Sequence, residues 1–150
     1  MFDTVVIATD GSESVRRAVA VAIDLAERFD AAVHALSVVD TDEVGASPEA
    51  VRADLRDALA EDAEDATGEI QAWTDGDVVT AVREGRPATE IKEYAREVDA
   101  DVVAMGTRGR HGENRFLIGS VAERVVRTCP VPVLTVRQLD GATEASGPGA

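Results

Sequence analysis

The chain has 150 residues, a mass of 15.8 kDa and a formal charge of −14, from 15 basic and 29 acidic residues. That length is one domain's worth, and it buries roughly 70% of the surface its unfolded form exposes, so a single hydrophobic core suffices. The lone cysteine, Cys129, excludes an intramolecular disulfide and a cysteine-built zinc site.

The acidity argues against nucleic acid and anionic membrane as partners, because both require a basic footprint. Aromatic residues make up 3% of the chain, too few for a base-stacking platform. No run approaches the roughly 20 apolar residues of a membrane span. Positions 1–10 hold no basic residue, so no secretory signal is read and a cytoplasmic location is expected. Lys92 is the only lysine among the basic residues. Dense carboxylates with so little lysine read either as plain solubility or as adaptation to a high-salt cytoplasm, and the lysine shortage favours the second.

Thr4 to Ala8 is a short β-branched apolar run, the pattern of a strand buried on both faces. Thr9-Asp10-Gly11-Ser12 is turn and cap chemistry. From Ser14 to Phe29, Val15, Ala18, Val19, Ala22, Ile23 and Ala26 recur at helical spacing. Ala32 to Val39 reads as the second strand, and Asp40 to Pro48 as a loop. Pro48 suits the first position of a helix with Val51, Leu55, Ala58 and Leu59 on its apolar face. That helix runs on towards Ile70 and Trp73, with Gly68 as its weak point. Its acidic run over positions 61–65 is a solvated face.

Asp77 to Val82 is the third strand. Gly85-Arg86-Pro87 starts a helix carrying Ala88, Ile91, Tyr94, Ala95 and Val98. Asp101 to Met105 is the fourth strand, followed by a polar, glycine-rich loop from Gly106 to Ile118. Ser120 begins a helix with Val121, Ala122, Val125 and Val126, ended by Cys129-Pro130. Val131 to Val136 is the fifth strand. The folded unit is expected to span 1–137, with 138–150 as a frayed tail. Apolar strands alternating with amphipathic helices imply an α/β protein, a doubly wound parallel sheet with helices on both faces. Its ligand site lies beyond the carboxyl ends of the strands, where strand order reverses.

The loop after the fourth strand carries the chemistry. Three glycines in its first seven residues let backbone amides approach a ligand closely. Gly119-Ser120 then opens a helix, whose free amides and dipole favour an anion, above all a phosphate. Positions 106–119 hold Arg108, Arg110 and Arg115 against one acid, Glu113, a balance of +2 in a chain of −14. A loop whose glycines only make turns and whose arginines pair with surface acids is the plainer reading, and the charge inversion weighs against it. The chain has no G-x-x-x-x-G-K-[ST], no G-x-G-x-x-G after the first strand and no G-x-S-x-G elbow, which disfavours P-loop, dinucleotide-fold and hydrolase readings.

Gly106, Gly109, Gly119 and Ser120 spell G-x2-G-x9-G-[ST]. With that motif, the stretches Val102–Arg110, Gly119–Val126, Cys129–Leu134, Thr9–Ser12 and Arg83–Pro87, the chain resembles the universal stress protein family over about positions 3–137. The resemblance implies five strands in order 3-2-1-4-5, the universal stress protein or adenine nucleotide alpha hydrolase-like fold. It also implies the subgroup that binds ATP. On that resemblance Asp10 and Val38 line the adenosine end, while the glycine loop, with Gly106, Gly109 and Gly119, and Ser120 hold ribose and phosphates. Arg108 and Arg110 can each reach phosphates as charge-assisted donors, and Ala8, Met105 and Val121 are the further candidates for the nucleotide site. Ala8 stands where some nucleotide-binding members have proline, which bears on the shape of the adenine pocket.

Of the remaining candidates, Asp10 can cap the first helix, but Ser12 can do so too, leaving Asp10 to face a ligand. Arg115 reads as facing solvent or a carboxylate, and His111 either as a phosphate partner or as a solvent-exposed loop histidine. His34 and Cys129 read as structural, and no spacing resembles a metal site. The expected function is a cytoplasmic ATP- or AMP-binding stress regulator or sensor, with magnesium arriving on the nucleotide. No catalytic residues are assigned. The alternatives are a dimeric chaperone-like interaction module without obligatory nucleotide, and a slow ATP hydrolase. The last strand lies at an edge of the implied sheet, and the resemblance implies a homodimer that pairs this strand across a two-fold axis, unless Pro132 blunts the edge. The resemblance names no protein client.

Overall fold

The structure is a computed structural model and describes residues 2–108 and 119–139. Strands β1 (Thr4–Ala8), β2 (Ala32–Asp40), β3 (Val78–Gly85), β4 (Val102–Gly106) and β5 (Val133–Val136) form one sheet in the order β3-β2-β1-β4-β5. Every pairing is parallel, with β1 flanked by β2 and β4. The helices are α1 (Arg16–Phe29), a short α2 (Thr41–Gly45), α3 (Arg52–Ile70), α4 (Pro87–Glu97) and α5 (Ser120–Thr128).

The central strands divide their side chains between two cores by simple alternation. Val6, Ala8, Leu36, Val103 and Met105 pack under Ala88, Ile91, Tyr94 and Ala95 of α4 and Ala122 and Val125 of α5. Val5, Ile7, Val33, Ala35, Val102 and Ala104 pack on the other face, under Val19, Ala22, Ile23 and Ala26 of α1 and Ile70 of α3. This two-sided burial is why β1 and β4 are nearly continuous apolar runs. Each fully buried Val or Ile contributes roughly 1.5–3 kcal/mol.

The element order, strand order and helical faces match the expectation, with local differences. The expected loop after β2 contains α2, because the Asp40 carboxylate accepts hydrogen bonds from the amides of Asp42 (2.9 Å) and Glu43 (3.4 Å) and so caps a helical turn. Pro48 precedes a 3-10 turn, Glu49–Val51, and α3 begins only at Arg52. The buried face of α3 is Ala63, Ala66, Thr67 and Ile70, whereas Val51 is exposed. Leu55 and Leu59 are half-buried over a small third cluster with Val39 and Val44. Gly68 does not break the helix. It faces solvent between buried Thr67 and Ile70, and the Thr67 hydroxyl donates back to the Ala63 carbonyl at 3.1 Å. The α-helical part ends at Ile70, and Trp73 closes a following 3-10 turn.

β3 extends to Gly85, three residues beyond the expected end, since Val38, Val39 and Asp40 of β2 pair with Arg83, Glu84 and Gly85. β5 starts at Val133 rather than Val131, yet the Pro132 carbonyl still accepts from the Val103 amide at 2.9 Å. Val126 on α5 is exposed instead of joining the apolar face. Positions 109–118 and 140–150 lie outside the described residues, and with them Gly109, Arg110, His111, Glu113, Arg115 and most of the expected tail.

Candidate functional site at the strand ends

The turn after β1 is built from its sequence. The Asp10 carboxylate accepts the Ser12 amide at 2.9 Å, a side chain-to-backbone turn that sends the chain from strand to helix. Gly11 sits at φ +76°, and a Cβ there would stand 3.0 Å from the Ala66 methyl of α3. Ser12 does not supply the expected cap. It makes no side-chain cap bond, and its Oγ is buried with no hydrogen-bond partner. Asp10 therefore shapes the turn while facing the space beyond the strand.

The end of β4 is equally constrained. A Cβ on Gly106 would stand 2.9 Å from the Ser14 carbonyl oxygen and 3.2 Å from Val15, so β4 can pass this close to the entry of α1 only with glycine there. Beyond it, the Gly119 amide donates to the Thr107 carbonyl. The two ends of the glycine-rich segment are thus tied together at the mouth of the sheet. Gly119 precedes α5 with extended backbone and no side-chain cap among the described residues, so the first amides of α5 are placed to meet an external acceptor.

Together these ends enclose a cavity of about 370 Å³. Ala8 and Asp10 come from β1 and its turn, and Val38 and Asp40 from β2. Met105 and Gly106 come from β4 and Arg108 from just beyond it, and Gly119, Ser120 and Val121 from the entry of α5. Ala8, Val38 and Met105 lie on the α4–α5 face of the sheet, and Pro87 and Ile91 of α4 complete that wall. Every described residue that the sequence singled out for a ligand therefore borders one space. Gly109 and Arg110 lie outside the described residues.

The cavity is electrically divided. Asp10, Asp40 and Glu43 border it on the β1–β2 side, and Arg108 borders it on the β4 side next to the uncapped N-terminus of α5. Arg108 is half-buried and makes no ion pair among the described residues. Asp40, Glu43, Thr9 and Ser37 also line the cavity and were not singled out from the sequence. Asp40 reads as loop chemistry until α2 is known, and Glu43 reaches the site only because Asp40 caps α2. Thr9 and Ser37 carried a positional signal, since both sit at the carboxyl ends of central strands. Among the described residues no three or more His, Cys, Asp or Glu gather as a metal site. His34 is not part of the cavity, and its Nδ1 lies 2.8 Å from the Tyr94 hydroxyl. Cys129 packs against the α4–α5 core.

Strand reversal at β1 and β4, with a cavity at their carboxyl ends, defines a doubly wound α/β protein with its site at the topological switch. The universal stress protein family model matches residues 1–137, and the chain belongs to that family. A universal stress protein of Methanocaldococcus jannaschii is 37% identical over 142 residues, covering 92% of this chain and 84% of that protein. The solved structure of the universal stress protein UspA from Lactobacillus plantarum is similar with a TM-score of 0.79 and 26% identity, over 91% of this chain and 98% of that one. A universal stress protein solved in complex with cAMP is similar with a TM-score of 0.67 and 26% identity, over 92% of this chain and 98% of that one. No helix among the described residues is long and apolar enough to cross a membrane.

Proposed function

We propose that this universal stress protein binds an adenine nucleotide, ATP or AMP, in the strand-end cavity and works as a nucleotide-dependent stress regulator in the cytoplasm. The division of the cavity carries the reading. On one side the first amides of α5, the glycine-lined end of β4 and Arg108, which makes no ion pair among the described residues, form a donor set for phosphate. On the other, Ala8, Val38 and Met105 offer an apolar wall for a base, and Asp10 offers an acceptor for ribose hydroxyls or a base amine. A volume of about 370 Å³ falls within the usual range of small-molecule sites. The cAMP complex of a structural relative supports the same ligand class. Magnesium enters on the nucleotide's phosphates.

The test is calorimetry with ATP, AMP, cAMP and GTP on the wild type and on Arg108→Ala combined with Ser120→Ala. The expected result is preference for adenine and at least tenfold weaker binding in the variant. Undiminished affinity in the variant, or no adenine preference, refutes the assignment. We also propose that the chain forms a homodimer through its β5 edge.

A further inference from the structure

The outer faces of α4 and α5 enclose a second groove of about 320 Å³ that shares no lining residue with the strand-end cavity. Ala88, Thr89 and Lys92 of α4 and Arg124, Arg127 and Thr128 of α5 form it. The spacings are those of single helical faces, three and four residues apart. Five of the six side chains carry hydrogen-bond donors, and none is a carboxylate, in a chain whose acids outnumber its basic residues 29 to 15.

Packing does not explain this concentration of charge. The buried positions of these helices are Ala88, Ile91, Tyr94 and Ala95 on α4 and Ala122 and Val125 on α5. Lys92, the chain's only lysine, is half-buried in the groove. Neither it nor Arg124 makes an ion pair among the described residues. By contrast Arg28, Arg56, Arg83, Arg86 and Arg96 each stand beside a carboxylate. Arg127 meets Glu123 at 3.3 Å, an exposed pair that is weak and readily exchanged for another anion. Complementing the α5 dipole accounts for Arg127 and not for Arg124, midway along the helix, nor for Lys92 on α4. Three converging cations repel one another unless an anion lies between them.

We propose that this groove is a second anion site, taking a phosphate group either free or carried on a small molecule. Three cations and the Thr89 hydroxyl form a donor set for a multivalent tetrahedral oxyanion, while the Thr128 hydroxyl donates to the Arg124 carbonyl at 2.7 Å. With Glu123 beside Arg127, the charges of Lys92 and Arg124 remain, which a divalent oxyanion balances and a monovalent ion does not. The guanidinium groups provide paired donors and Lys92 a point charge. The site stands independently of nucleotide binding at the strand ends.

The test titrates inorganic phosphate, pyrophosphate and glycerol phosphate at low salt into the wild type, Lys92→Gln combined with Arg124→Gln, and, as a charge-matched control outside both openings, Arg28→Gln combined with Arg56→Gln. Calorimetry supplies affinities, and amide NMR on the wild type supplies the location. The expected result is at least tenfold weaker binding in the groove variant and unchanged binding in the charge-matched control. Amide shifts should centre on Thr89, Lys92, Arg124 and Thr128. Tighter binding of glycerol phosphate than of inorganic phosphate assigns the site to a carried phosphate, and equal binding assigns it to the free ion. Shifts confined to the start of α5, full affinity in the groove variant, or no binding of any of the three anions overturns the proposal. The wild-type NMR map decides the matter even if the groove variant does not fold.

Discussion

His34 lies on β2, four residues before Val38 on the same face, and it meets Tyr94 of α4 through a 2.8 Å hydrogen bond and an edge-on ring contact. Arg83 lies over the Tyr94 ring and pairs with Glu97 at 3.5 Å. Burial pushes the His34 pKa below its ordinary value of 6.5. The unfolded chain therefore takes up a proton near pH 6.5 that the folded chain resists. The stability this group contributes is complete above that pH and is lost as the pH falls through the lower, folded value. Burial also raises the Tyr94 pKa, opposed by the Arg83 guanidinium and reinforced by Glu97, so Tyr94 stays protonated throughout this window. Thermal melts between about pH 8 and pH 5 should show a steeper loss of Tm on acidification in the wild type than in His34→Gln. Parallel curves would show that His34 titrates alike in both states. Tyr94→Phe should cost about 1 kcal/mol, the worth of one hydrogen bond.

At the level of elements, β5 raises the question of its free edge. The Pro132 carbonyl bonds to Val103 of β4, so the backbone of Pro132 faces inwards and its missing amide does not blunt the outer edge. By alternation along the strand, Val133 and Thr135 turn their amides and carbonyls outwards. Thr135→Pro should therefore leave the β4 pairing intact while removing one outward donor. Light scattering is expected to give about twice 15.8 kDa for the wild type and the single-chain mass for the variant. A wild-type monomer refutes pairing through this edge, and a variant that stays dimeric places the interface elsewhere. The strands and the faces of α1 and α4 were legible in the sequence because burial there follows a strict period, as Val19, Ala22 and Ile23 show. Ala8, Asp10, Val38, Gly106 and Ser120 were legible as a set only through the family motif. Their meeting in one cavity depends on strand order, which no local pattern encodes. The start of α3 misled because Val51 and Ala58 have the right spacing but project beyond the edge of the core. Glu43 was missed because one side-chain cap, Asp40, converts an apparent loop into α2. The groove between α4 and α5 escaped for a related reason, since Lys92 and Arg124 are distant in sequence and meet only where two helices pack.

For the whole molecule, the charge of −14 is an average over an uneven surface. The donors without a carboxylate partner among the described residues, Arg108 at the strand ends and Lys92 and Arg124 between α4 and α5, mark two openings in an acidic body. An acidic exterior repels extended polyanions, while each opening admits one small anion, and salt acts oppositely on the two effects. Between about 0.1 M and 1 M the screening length falls from about 10 Å to about 3 Å. Repulsion among surface carboxylates then fades, and the folded state, which holds them closest together, gains most. Tm should therefore rise by several degrees over that range. Affinity for phosphate in the α4–α5 groove should fall, since its Thr89 and Arg124 are exposed. Nucleotide affinity should fall less, because its cavity is lined in part by apolar side chains and by amides of α5 that salt screens poorly. A Tm that does not change with salt would show that the carboxylates serve solubility and place no load on the fold, refuting high-salt adaptation. Equal losses of affinity at the two openings would show that both bind by charge alone and that the apolar wall of the strand-end cavity adds nothing.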